Sequence, residues 1–171
     1  MDKISVETFC KGIPKGNNKA LQDYYKKHII TDYVPYLQKD VMCTTIINST
    51  CKVKDNDREF VRINSSGRYL MFMLRLIDLY SDIKIDFKDS KFIEQYDVLN
   101  KSNAIDGIIS AIPESEYSEF STLLRMKYDD FINNEYSLTA MLYNFKKSLS
   151  LSDEVINSVI EELGKITDNE E

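Results

Sequence analysis

Chemistry in this chain would have to be built around one histidine, His28, and three cysteines, Cys10, Cys43 and Cys51. A metal site needs several His, Cys, Asp or Glu ligands at short, regular spacing, and neither the lone histidine nor the scattered cysteines provide it. A catalytic histidine needs a nucleophile to deprotonate within hydrogen-bond reach. His28 has no companion in the sequence, so it reads as a packing residue rather than a base. The cysteines form no C-x-x-C pair. Their odd number, with no apolar leader after Met1-Asp2-Lys3-Ile4, reads as free thiols in a reducing compartment. Adjacent acids occur at Asp129-Asp130 and Glu161-Glu162, but neighbours on a helix point about 100° apart and do not converge. Gly12 and Gly16 near Lys19 lack the closing Gly-Lys-Ser/Thr and the preceding strand of a phosphate loop. No serine sits in a nucleophile elbow. The expectation is a non-enzyme with no catalytic residue, no metal and no cofactor.

Charge points to macromolecular contact instead. The net charge is −6, which opposes nonspecific nucleic-acid binding because phosphates must be neutralised by cations. The charge is uneven: residues 1–62 carry eleven Lys/Arg against eight Asp/Glu, and residues 63–171 carry eleven against twenty. Such a bipolar chain can stack head to tail or dock on a basic partner. Lys11, Lys15, Lys19, Lys26 and Lys27 form the basic end and are candidates for weak nucleic-acid contact. The eleven tyrosines lack the basic groove of a base-stacking platform, so they read as core and interface residues.

The elements that must position these residues are mostly helical. Lys11-Gly12-Ile13-Pro14-Lys15-Gly16-Asn17-Asn18 is a cluster of breakers and reads as loop. Asn18 then caps a helix with Leu21, Tyr24, Tyr25 and His28 on one face. Pro35 starts a second helix, whose β-branched tail from Thr44 to Thr50 obscures its end. Cys51-Lys52-Val53 and Phe60-Val61-Arg62-Ile63 suggest a small hairpin, and Ile83 to Phe87 alternates as a short strand. Further helices are expected over Phe92–Asn100, Ser102–Ile112 and from Pro113 onward, where Tyr117, Phe120, Leu124, Tyr128 and Phe131 recur at steps of three and four. Ser137 and Ser152 open two more. The last shows Val155, Ile156, Val159, Ile160, Leu163 and Ile166 along one side, a candidate partner-binding surface in the manner of a helix laid in a groove.

The most apolar run, Arg68-Tyr-Leu-Met-Phe-Met-Leu-Arg-Leu-Ile-Asp-Leu-Tyr80, is too short to span a bilayer, which takes about 20 residues, and carries Arg75 and Asp78 besides. A helix apolar on most sides is a central one. Arg75 and Asp78, three apart, are expected to pair at the rim of the core.

Three segments add a resemblance: Asp32-Tyr-Val-Pro-Tyr-Leu-Gln-Lys39, Arg62-Ile-Asn-Ser-Ser-Gly-Arg-Tyr-Leu70, and Tyr96-Asp-Val-Leu99 leading into Ala111-Ile-Pro-Glu114. Together they resemble small, largely uncharacterised helical proteins of phages and prophages of low-GC Gram-positive bacteria. The resemblance covers about two thirds of the chain, is one of texture, and carries over no functional residue. It implies a virion structural or assembly role, such as a tail-assembly chaperone or head–tail component.

The resulting expectation is a mostly α, compact domain of about seven or eight helices around a central helix at 66–80, with at most a small β-hairpin or two short strands. Residues 1–17 are a flexible N-terminal segment, 18–148 the helical core domain, 149–167 a C-terminal amphipathic helix and 168–171 an acidic tail. The protein acts through protein partners or self-association, in the host-cell cytoplasm or in a virion, with no membrane role. Two alternatives stand beside it: a small acidic inhibitor or regulator of a host protein that imitates nucleic acid, and a DNA-contacting accessory protein.

Overall fold

Short polar side chains mark where the helices begin. In the computed structural model, which describes residues 3–55, 58–135 and 141, the Ser5 hydroxyl accepts from the Thr8 N–H and starts α1 (Val6–Gly12). Asn17 accepts from Lys19 and starts α2 (Asn18–Lys27). Asn64 accepts from Gly67 at 2.8 Å and starts α4 (Ser65–Tyr80). Each cap satisfies one of the orphan N–H groups at a helix start. Between them, α3 (Tyr36–Cys51) begins at Pro35, whose fixed φ suits a helix start. Further on lie α5 (Lys91–Lys101), α6 (Ala104–Ala111) and α7 (Glu114–Glu135), the last with Glu114 and Glu116 in its first turn.

Sheet structure among the described residues is minor. Strand β2 (Lys52–Asp55) pairs antiparallel with β3 (Arg58–Val61), with Lys52 opposite Val61, as the hairpin reading expects. Strands β1 (Ile4–Ser5) and β4 (Ile83–Lys84) form a two-residue parallel pair. The mostly helical fold class therefore stands.

The core is organised around α4, which packs against α3, α5 and α6. It buries Met71, Phe72, Met73, Leu74, Leu76, Ile77 and Tyr80, each contributing about 1.5–3 kcal/mol of transfer free energy. Phe72 meets Phe120 of α7 edge-on, with ring centroids 5.5 Å apart. At the α2–α6 contact Gly107 admits the Tyr25 ring, since any Cβ there would overlap it.

Three expectations need correction. The N-terminal segment is not loose: α1 follows β1 directly, and Val6 and Phe9 are completely buried, the Phe9 ring lying against Tyr24, Tyr25 and His28. Arg75 does not pair with Asp78. Lys3 takes Asp78, Nζ to Oδ1 at 2.8 Å, while the Arg75 guanidinium lies 3.5 Å from the Phe87 ring centroid, where burial lowers its pKa. Tyr69, part of the apolar run read as a central helix, is 55% exposed. The chain divides into two compact units, Met1–Tyr128 and Asp129–Glu171, the division falling within α7. The geometry that follows belongs to the first unit.

Candidate functional site

α3 has its polarity turned around. Lys39, the fourth residue of the helix, is completely buried, whereas Tyr36, Leu37 and Val41 are 56%, 71% and 55% exposed. Burying an ammonium without partners is prohibitive, so the inward face of α3 must be built around it. Lys39 Nζ lies 2.9 Å from Glu116 Oε2 and also bonds Glu119, both on α7. Glu116 Oε2 accepts in addition from the Tyr80 hydroxyl at 2.7 Å and from the Val34 N–H at 3.0 Å. The Tyr33 ring sits beneath the same ammonium, 5.4 Å away. One carboxylate thus ties together α3, α4, α7 and the turn that leads into α3.

The charges in this cluster are mutually fixed. Desolvation pulls the Lys39 pKa down, but its bonds to Glu116 and Glu119 outweigh it, and the net shift is upward. Desolvation raises Glu116, yet Lys39, the Tyr80 hydroxyl and the Val34 N–H together hold it below the usual carboxylate range. The Tyr80 hydroxyl is pushed well up, by burial first and then by the neighbouring carboxylates. An ion pair that keeps both charges and has a phenol locked in the neutral form positions structure; it holds no proton ready for transfer.

The outward side is the contrasting surface. Of the eleven large hydrophobic side chains left exposed among the described residues, five lie between positions 30 and 41: Ile30, Tyr33, Tyr36, Leu37 and Val41. The remaining charge of α3, Asp40, is tied to Lys127 at 2.8 Å. The patch is therefore mostly apolar, with Asp32 the exposed charge within it.

The residues singled out for chemistry resolve into structural roles. His28 Nδ1 faces both oxygens of Asp82 at 2.9 and 3.0 Å, and its ring is enclosed by Phe9 and Tyr24. Among the described residues no hydroxyl or thiol bonds its other nitrogen, and the Asp82 N–H returns a bond to the His28 carbonyl. The pair therefore clasps the end of α2 to the segment before β4. Burial raises the Cys43 thiol to about 12 and raises Cys10 as well, so both remain protonated thiols. Among the described residues no three His, Cys, Asp or Glu side chains converge on a metal position, and no helix is long and apolar enough to cross a membrane.

Lys11, Lys15, Lys19, Lys26 and Lys27 are all exposed. They are carried by α1, α2 and the loop between them, with the carboxylate of Asp23 among the α2 lysines. The candidate partner-binding residues Val155, Ile156, Val159, Ile160, Leu163 and Ile166 lie outside the described residues. A pocket of about 550 Å³ opens where α3, the β2–β3 hairpin and the start of α4 meet. Lys52 and Arg62 line it beside hydroxyls such as Ser49 and Ser65; Arg62 and Ser65 stand in solvent, so it is an open polar depression.

Sequence reasoning missed the buried network and the exposed face above it. The available signal was the helical register of α3: Lys39 shares the side of Cys43, Ile46 and Ile47, opposite Leu37 and Val41. Comparison with protein-family models, curated proteins and solved structures gave no match.

Proposed function

We propose that this chain works by protein–protein contact as a phage-type virion structural or assembly protein, in the manner of a tail-assembly chaperone or head–tail component. The observation that carries the contact reading is the outward face of α3, where Tyr36, Leu37 and Val41 stand exposed over a fixed ionic network. Large apolar side chains gathered on a rigid element are the usual material of a binding surface. The phage assignment is supported by the resemblance of the three segments quoted above, and it puts the protein in the host-cell cytoplasm or in the particle.

The test is affinity capture from phage-producing cells, using the wild-type chain and Leu37→Glu. Tail or capsid proteins should co-purify with the wild type and be lost with the variant. Absence of the protein from purified virions and from every assembly intermediate overturns the virion role.

A second reading, a regulator that docks an acidic surface on a basic host protein, has one observation in its favour. Residues 129–171 carry three Lys/Arg against ten Asp/Glu, while residues 1–128 carry nineteen against eighteen. The acidity belongs almost wholly to the second unit. Such an interaction weakens steeply with salt, and a salt-insensitive complex counts against it.

A further inference from the structure

We infer that one carboxylate, Asp78, couples the N-terminal strap at residues 3–5 to the segment that follows β4. Lys3 holds Asp78 while the strap is docked; when the strap lifts, Arg75 leaves Phe87 and takes the carboxylate in its place. The inference does not depend on the contact reading above. Its first ground is how the strap is fastened. Lys3 Nζ lies 2.8 Å from Asp78 Oδ1 and also reaches the Asp78 carbonyl, in the last turn of α4. That carbonyl is one of those a helix end leaves without an intrahelical donor. Beyond this, β1 pairs with β4 over two residues only, and the Ile4 N–H donates to the Asp82 carbonyl at 2.7 Å. The Lys3 and Asp78 side chains are 31% and 24% exposed, so solvent screens the pair and the latch is a weak one.

The second ground is a cation waiting beside the same carboxylate. Arg75 stands three positions before Asp78 on α4, within side-chain reach along one helix face. Its guanidinium lies over the Phe87 ring, and its Nε is buried with no acceptor among the described residues. Burial pulls the Arg75 pKa down while the Asp78 charge works against that pull, so the two groups already feel one another. By turning to Asp78, Arg75 gains an ionic hydrogen bond for a donor that now has none. The Lys3 ammonium opposes a second cation at that carboxylate for as long as it stays there.

The third ground is what Arg75 holds in the docked state. Phe87 belongs to residues 85–90, which leave β4 with few ties. The Asp86 N–H donates to Gln95 Oε1 at 2.8 Å, the Phe87 ring stacks on Phe92, and Asp89 sits at φ 55°, in the left-handed region that a side chain disfavours. β4 is therefore held by β1 along its edge and by Arg75 just past its end, and both contacts answer to Asp78.

The experiment is amide hydrogen exchange by nuclear magnetic resonance on the full-length chain, comparing the wild type, Lys3→Met and the double variant Lys3→Met with Asp78→Ala. The amides followed are Ile4, on the strap, and Asp86, after β4. Lys3→Met should speed exchange at both by about two- to five-fold, the loss of an exposed ion pair, and should shift the Arg75 Nε–H resonance. The double variant should speed Ile4 as much but leave Asp86 and the Arg75 resonance as in the wild type, because Arg75 then has no carboxylate to move to. Ile4 exchange unchanged in Lys3→Met means that Lys3 is no latch, and Asp86 exchange unchanged means that the two ends are uncoupled. Asp86 exchange raised equally in both variants makes the loosening a consequence of the lost strap and not of Arg75. Each of these three results overturns the inference.

Discussion

Two helices of equal length show opposite ways of using a face. α4 and α3 each span sixteen residues and pack against one another. α4 hides seven apolar side chains and keeps its cations toward the rim, Arg68 over the Tyr128 ring and Arg75 over Phe87. α3 hides a lysine and leaves a leucine in water. In α4 hydrophobic transfer does the holding; in α3 part of that work passes to an ion pair whose desolvation is offset by several hydrogen bonds. A helix anchored by polar contacts has apolar side chains to spare for its other side.

The sharpest way to break this comparison is to put a charge into each helix. Leu76→Asp places an unpaired carboxylate at a fully buried position of α4 and should abolish the folded state, seen as loss of a cooperative melt. Lys39→Ala leaves Glu116 buried without its counter-ion and should cost about 3–5 kcal/mol in urea denaturation. A cost under about 1 kcal/mol would show that the network is incidental. Gly107→Ala forces the Tyr25 ring away from α6 and should cost about 1–3 kcal/mol.

Titration probes the network beneath α3 more gently. The folded pKa of Glu116 lies below its unfolded value, so its contribution is present above about pH 4.3 and is lost as the pH falls through the lower folded value. Lys39 is shifted upward, so its contribution is present below about pH 10.4 and is lost as the pH rises through the higher folded value. The urea midpoint should therefore fall on the acid side, and Glu116→Gln should flatten that limb while lowering the midpoint near neutrality. Smallest of all, Leu37→Glu should change stability by no more than about 0.5 kcal/mol, because the side chain is already in solvent.

How much of this was legible in the sequence depended on whether a feature was local. α4 could be read outright: Asn64 caps it, and its apolar residues leave only a narrow polar strip. The hairpin at Lys52–Val61 was legible for the same reason. α1 was missed because Gly12, Pro14 and Gly16 drew the reading toward a loop, although Ser5 followed by Val6 and Phe9 was a usable cap and apolar pair. Lys39 could not be placed by pattern alone, since its burial depends on Glu116 and Glu119, far along the chain on another helix. The His28–Asp82 clasp has the same character, joining residues 54 positions apart. Polar partners chosen across such distances leave no periodic trace.

The parallel pair of β1 and β4 bears on how the chain is made. The Ile4 N–H reaches the Asp82 carbonyl and Lys3 reaches Asp78, while α1 packs against α5. During synthesis Lys3 emerges 75 residues ahead of Asp78, and the contact cannot form until that stretch has been translated. Closing so long a loop is slow compared with forming the local helices. The β1–α1 segment is thus sewn in late, and Val6 is apolar surface that the nascent chain carries unprotected in the meantime.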